Sequence, residues 1–189
     1  MVGKIILASS SPRRADILKK TKLQFEVLPS PYIEDHTTTV FSYDFIENLA
    51  YNKAKAVLQL LKEPSVVIGA DTVVVLNNEI LGKPDGKKGA FDMLKKISGK
   101  THFVVTSIVV INSETNEVKK NSTTSYVTFE DLTDEQINYY IENFKPFDKA
   151  GSYGIQEMPE GYIKSYTGDL ENIIGMSSKA LMELLTKAE

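Results

Sequence analysis

One aspartate stands out by its neighbours. Gly69-Ala70-Asp71-Thr72 lies between two β-rich runs, Val66 to Ile68 and Thr72 to Leu76. A carboxylate at a strand end, after two small residues, can activate water or hold a metal ion. An exposed turn aspartate is the plainer alternative. Upstream, Ala8-Ser9-Ser10-Ser11-Pro12-Arg13-Arg14 leads a strand through small residues into a helix whose first turn carries two arginines. Helix N-termini offer unpaired N–H groups and a partial positive charge, which suits phosphate. Arginines in that turn oppose the macrodipole unless an anion sits there. The alternative is a solvated helix start with two surface arginines.

Three further groups have chemistry to offer. Lys83 lies in the tight loop Gly82-Lys83-Pro84-Asp85 and can reach phosphate. Lys53 interrupts an apolar helix line, where a lysine must snorkel or meet an anion. Glu34-Asp35, in a proline-flanked loop, can hold Mg²⁺ or merely keep the loop soluble. Two glycines in Asp148-Lys149-Ala150-Gly151-Ser152-Tyr153-Gly154-Ile155-Gln156 allow close backbone approach to a ligand. Tyr139-Tyr140 reads as helix packing and His102 as a structural residue.

The elements that must position these groups follow from the spacing. Lys4 to Ala8 suits a buried first strand. Ser11-Pro12 marks a helix start, with Ser at the cap and Pro at the first helical position. Phe25 to Leu28 is a short strand stopped by Pro29 and Pro31. Ser42 caps the longest helix, about 43 to 62, in which Phe45, Leu49, Lys53, Val57 and Leu61 recur every fourth residue. Asn77-Asn78 turns the chain back to Ile80 and Leu81. Lys87 to Ile97 is a helix ending at Ser98-Gly99. His102 to Ile111 and Glu117 to Phe129 form a long antiparallel pair around the turn Ser113 to Asn116. Thr133 with Gln136 makes a capping box for a helix running to about Phe144. Lys145 to Gln156 is a loop, and a last helix follows from Met176. Alternating strands and helices with an inserted hairpin predict one mixed α/β unit over residues 1–189.

Composition excludes several classes. The chain lacks cysteine, so disulfides, thiolate metal sites and cysteine nucleophiles are out. Two histidines do not make a multi-histidine zinc site, and any metal should be a hard, oxygen-bound ion. The net charge of −3 and the lack of a basic stripe argue against nucleic acid as a partner, while a local basic cluster still suits a small anion. No apolar run approaches a membrane span of roughly 18 residues. The N-terminal run is too short for a secretory signal, so a cytoplasmic protein is expected.

Taken in order, these segments resemble the Maf family of nucleotide pyrophosphatases. The resemblance rests on Leu7 to Arg14, Asn48 to Ala54, Ile68 to Val75, Ile80 to Pro84, Met93 to Thr106, Pro146 to Gln156 and Asn172 to Gly175. It implies an elongated α/β structure with a central mixed twisted sheet flanked by helices and a nucleotide cleft between two lobes. It also implies hydrolysis of nucleoside triphosphates to the monophosphate and pyrophosphate, with Mg²⁺ or Mn²⁺ as cofactor. On this resemblance the Ser9 to Arg14 loop binds the triphosphate through Arg13 and Arg14, with Lys53 and Lys83 as phosphate-binding lysines. Asp71 matches the catalytic aspartate, as base or as metal ligand. Glu34 and Asp35 match an acidic metal site that the family usually writes with the two acids in the opposite order. Three positions that divide the family read Arg13, Thr72 and Gln156, the set of the branch acting on dTTP and UTP. CTP is compatible with the same glutamine.

The chain departs from the family at Glu157-Met158-Pro159-Glu160, where glycines are usual, at Gly168-Asp169-Leu170, and at Asn48, where an arginine is common. The expected partner is the nucleotide alone, and a homodimer is compatible with it. Two other readings compete. One is a pyrophosphatase for deaminated purine nucleotides such as ITP, and the other is a nucleotide-binding regulator of cell division without turnover.

Overall fold

Strand β1, Lys4–Leu7, pairs in parallel with β2, Glu26–Val27, on one side and with β3, Ser65–Leu76, on the other. The parallel pairing of β1 and β3 requires a crossover, and α2, Tyr43–Leu58, supplies it. From β3 onward the sheet is antiparallel. Strands β5, Thr101–Asn112, β6, Val118–Phe129, and β7, Ile163–Thr167, follow in the order β2-β1-β3-β5-β6-β7, while β4, Glu79–Leu81, folds back on β3. The remaining helices are α1, Pro12–Lys20, α3, Gly86–Ile97, α4, Asp134–Phe144, α5, Leu170–Ile174, and α6, Ser178–Thr186. This computed structural model describes residues 3–34 and 38–186.

The mixed α/β expectation holds, with corrections in detail. The two runs on either side of Gly69-Ala70-Asp71 are one strand of 12 residues, and Asp71 pairs opposite Ser107 in its middle. The small residues make room for a helix instead of turning the chain. A Cβ at Gly69 would stand 2.2 Å from the Ala50 carbonyl oxygen of α2. Helix α2 stops at Leu58, four residues short of the expected end. Strand β2 has two residues where four were expected. The loop before Gln156 contains two single-turn 3₁₀ helices, Ala150–Ser152 and Ile155–Glu157.

The capping predictions are met at α4, where Thr133 accepts from the Gln136 amide and the Gln136 side chain accepts from the Thr133 amide. Ser42 caps α2 by accepting from the Phe45 amide. Ser11 is the N-cap residue of α1, but its side chain makes no capping bond.

Alternation along β3 decides which helix meets which residue. Val66, Ile68 and Ala70 pack with α1 and α6 residues such as Leu18 and Leu181. Val67 packs under Ala50, Ala54 and Val57 of α2, and Val73 and Val75 pack under Ile46. Asp71 and Thr72 therefore emerge on opposite faces of one strand. A second core body joins α3, α4 and the far ends of β3, β5 and β6 around Leu94, Phe129 and Tyr140. No helix among the described residues is long and apolar enough to cross a membrane.

Candidate active site

A cavity of about 680 Å³ opens beside the middle of β3. That volume is in the range that holds a nucleotide-sized ligand. Ser9, Arg13, Arg14, Glu34, Lys53, Asp71, Thr72, Lys83 and Gln156 all line it. Segments from distant parts of the chain thus converge on one space. Asp35 lies outside the described residues.

On the α2 side, Lys53 donates to the Asp71 carboxylate and forms an ion pair with Glu34 Oε1 at 2.8 Å. This explains the lysine on an apolar helix line: its ammonium is nearly buried but shared by two carboxylates. The loop carrying Glu34 is docked on α2, because the Ser30 hydroxyl donates to the Lys53 carbonyl at 2.9 Å. Asp71 is 6% exposed. Burial raises its carboxyl above the ordinary range, against the opposing pull of Lys53 and Arg14. An aspartate held this way is a group whose proton affinity is tuned, unlike a solvated turn residue.

On the other face Arg14 is buried, and its guanidinium is engaged with the protein. Nε donates to the Gly175 carbonyl at 3.0 Å, Nη1 to the Ala70 carbonyl at 2.8 Å and to Ser9 Oγ at 3.3 Å, and Nη2 to Thr72 Oγ1 at 2.9 Å. Burial lowers its pKa, partly offset by the Asp71 charge. The planar fork binds the residues immediately before and after Asp71. Ser9 Oγ also accepts from the Ser11 amide at 3.2 Å, which fixes the loop into α1. The Thr72 hydroxyl stands 2.9 Å from that of Thr106, which itself donates to the Asn172 carbonyl.

The cations differ in what they already hold. Arg13 Nη1 donates to Asp148 Oδ2 at 2.9 Å. Asp148 Oδ1 meets Lys149 Nζ at 2.9 Å, and the same ammonium pairs with Glu157 Oε2 at 3.2 Å. Burial pushes the Asp148 carboxyl up, yet Lys149 and Arg13 hold it below its ordinary value. Lys83 is exposed and has no ion pair among the described residues. Its loop is tied to the 150–157 segment by the Gly151 amide, which donates to the Gly82 carbonyl at 3.0 Å. Gly151 has φ +67° and its Cβ would press on Val74 at 3.0 Å, so this link needs glycine. Gln156 is exposed to the cavity, with no side-chain hydrogen bond among the described residues.

The donor set suits a hard divalent ion. Glu34 and Asp71 both direct an oxygen at one cation, the Lys53 ammonium. Among the described residues no three His, Cys, Asp or Glu side chains cluster to hold an ion unaided. A pair of carboxylates is the usual protein share of a Mg²⁺ site, with water and substrate phosphates completing the shell.

Sequence reasoning passed over Lys149 as a charged group and the roles of Asn172 and Gly175. Lys149 looks like one more loop lysine until the fold brings Asp148 and Glu157 to it. Asn172 is fully buried, accepts from the Thr106 amide and donates to the Val104 carbonyl and Ser125 Oγ. The segments that carry both were legible, but nothing local in the sequence tells what either side chain touches.

A family model described as Maf-like protein matches residues 4–188. The chain is 39% identical over 184 residues to a protein of Clostridium novyi (strain NT) named dTTP/UTP pyrophosphatase, covering 96% of this chain and 95% of that one. A protein of the same name from Thermosipho africanus (strain TCF52B) is 42% identical over 182 residues, covering 96% and 92%. Among solved structures, the HAM1 protein of Coxiella burnetii aligns over 100% of both chains with a TM-score of 0.54 at 15% identity. The Staphylococcus aureus Ham1 protein aligns over 98% of this chain and 100% of its own, with a TM-score of 0.53 at 13% identity. These two are likenesses of fold.

Proposed function

The chain belongs to the Maf family, and from that premise we propose that it hydrolyses nucleoside triphosphates to the monophosphate and pyrophosphate, with dTTP and UTP as its substrates. The observation that carries this reading is the buried Asp71 carboxylate, which shares the Lys53 ammonium with Glu34 on a cavity that also presents Arg13, Lys83 and Gln156.

Phosphoryl transfer is catalysed mainly by positioning and charge neutralisation, and a triphosphate brings about four negative charges. Lys83, without an ion pair among the described residues, meets phosphate directly. Arg13 reaches phosphate by exchanging Asp148 for a stronger anion. Lys53 lies close enough to Asp71 to neutralise charge on the phosphate under attack. Arg14 spends four of its five N–H donors on Ala70, Thr72, Ser9 and Gly175, so its main part is to hold Asp71 in place. A water oxygen attacks the α-phosphorus, the bond from that phosphorus to the bridging oxygen breaks, and pyrophosphate leaves. Asp71 accepts or steers the proton that the water gives up. Asp71 with Glu34 or Asp35 would hold Mg²⁺ or Mn²⁺, which when bound would neutralise phosphate charge and lower the pKa of water.

Gln156 reads the base. Its amide has one acceptor and two donors, so it accepts from N3–H of uracil or thymine and donates to O4. Flipped, it serves cytosine as well. That its side chain makes no hydrogen bond among the described residues supports this role over that of a brace for its own loop.

The test is a panel of dTTP, UTP, CTP, GTP and ITP with Mg²⁺ or Mn²⁺, measuring pyrophosphate and orthophosphate separately. Pyrophosphate with dTTP and UTP preferred is the expected result. Orthophosphate and diphosphate as the only products overturn the reaction, and a preference for ITP overturns the substrate.

A further inference from the structure

Gln156 sits in a single 3₁₀ turn, Ile155–Glu157, and a turn of that size does not hold itself in place. Its first end is anchored by the Gly154 amide, which donates to the Tyr140 hydroxyl at 3.1 Å. The Glu157 amide closes the turn on the Gly154 carbonyl at 2.9 Å. Ile155 and Met158 pack on the core to either side of Gln156, and the polar anchor of the far end is Glu157, whose Oε2 is buried and pairs with Lys149 Nζ at 3.2 Å. The stem of Lys149 also supports the turn from beneath, since a Cβ at Gly154 would stand 3.1 Å from Lys149 Cε.

Lys149 is 8% exposed although it lines an open cavity. Its ammonium is shared between Glu157 and Asp148, and Asp148 in turn holds Arg13. Alternating charges thus run Arg13, Asp148, Lys149, Glu157, from the first turn of α1 to the residue after Gln156. Both carboxylates that hold this ammonium belong to its own loop segment, so Lys149 acts as a strut between Asp148 and Glu157. Removing it leaves Asp148 and Glu157 facing each other across the space of one ammonium, and like charges there drive Glu157 outward.

We propose that Lys149 is a positioning residue for base selection: by holding Glu157 it fixes the turn from which Gln156 faces the cavity. This rests on the reading of Gln156 as the residue that meets the base.

The experiment compares the wild type with Lys149→Met and Lys149→Arg on UTP and GTP. Lys149→Met should lose about tenfold of the UTP-over-GTP preference in kcat/KM, mainly through KM for UTP, the scale of one misplaced polar contact. Lys149→Arg should restore most of it, and adding Gln156→Ala to Lys149→Met should cost little further preference, because both changes remove one interaction. Equal loss on both substrates, or an unchanged preference, overturns the proposal. A second readout needs no turnover: amide hydrogen exchange at Ile155 to Glu157 should quicken in nucleotide-free Lys149→Met, and unchanged exchange also overturns it. A wild type that releases no pyrophosphate from any nucleotide counts against the proposed function instead, and the exchange measurement then decides this inference alone.

Discussion

Arg14 Nη2 donates to Thr72 Oγ1 at 2.9 Å, while Nη1 of the same guanidinium donates to the Ala70 carbonyl at 2.8 Å. One side chain from α1 thereby grips both neighbours of Asp71. Lysine at position 14 keeps the charge but not the fork. Arg14→Lys should lower kcat on dTTP by about 10- to 100-fold, as misplacing a reacting group does, with KM within about threefold. Steady-state kinetics checks this. A large rise in KM with kcat intact would assign Arg14 to the phosphates.

Asp71→Asn keeps the shape of the side chain and removes its charge and basicity. Turnover should fall by about 10²-fold or more, the scale of a lost general base. Binding of a non-hydrolysable dTTP analogue, followed by calorimetry, should survive, because the phosphate contacts are proposed to lie with Arg13 and Lys83. Turnover near the wild-type rate removes Asp71 from the chemistry.

Chelation should abolish activity. The charged hard donors among the described residues at the centre of the cavity are Glu34 and Asp71, which share the Lys53 ammonium. Adding back Mg²⁺ or Mn²⁺ should restore turnover, and Glu34→Gln should raise the metal concentration needed. Full activity in excess EDTA would leave these carboxylates without the role proposed for them.

On the proposed reading of Gln156, Gln156→Glu replaces the donor that would face O4 of uracil with an anion. A buried acceptor without a donor costs about 1–3 kcal/mol, or roughly 5- to 150-fold in kcat/KM for UTP. Guanine, which offers N1–H and N2–H₂, should suffer less. The measurement is the UTP-to-GTP ratio of kcat/KM in both proteins, and a constant ratio rules out base reading at this position.

His102 gives stability its own pH dependence. It is 2% exposed, pairs through Nε2 with the Tyr153 hydroxyl at 2.6 Å, and burial pulls its pKa down to about 4. The unfolded chain takes up this proton near pH 6.5 and the folded chain does not, so stability falls as pH drops from 6.5 towards 4. Between pH 7 and 4.5 the wild type should lose about 2 kcal/mol more than His102→Gln. Urea denaturation at the two pH values reads the difference, and parallel losses would refute it.

The sequence made some of this legible and hid the rest for physical reasons. Capping chemistry is local, so Thr133 with Gln136 and Ser42 were readable. Asp71 was readable as a candidate, but Gly69-Ala70 looked like a turn because nothing nearby announces that α2 will rest on those residues. Strand β7 was missed because it is a largely exposed edge strand with little apolar pattern. The Lys53 ammonium was foreseen as either snorkelling or meeting an anion, since its helix line is otherwise apolar, and the fold gives it two carboxylates. The confinement of Arg14 was not foreseen, because its partners at Ala70, Thr72 and Gly175 come from β3 and the end of α5. Motif spacing reports which residues matter but not which way a guanidinium points.

The clearance at Gly69 has a consequence for the chemistry above it. A methyl group there would meet the Ala50 carbonyl oxygen at 2.2 Å and the Ala54 Cβ at 2.8 Å, so α2 rests on bare backbone. Lys53 precedes Ala54 on that helix and reaches down to Asp71, two residues beyond Gly69 on the strand. The seating of the helix on the strand is thus the gauge that sets how far the ammonium stands from the carboxylate. A methyl at position 69 would act as a shim, lifting the whole helix and taking the charge with it, without touching substrate, metal or either partner of the ion pair. A purely apolar dimension of the fold is in this way the mechanical tolerance of its electrostatics.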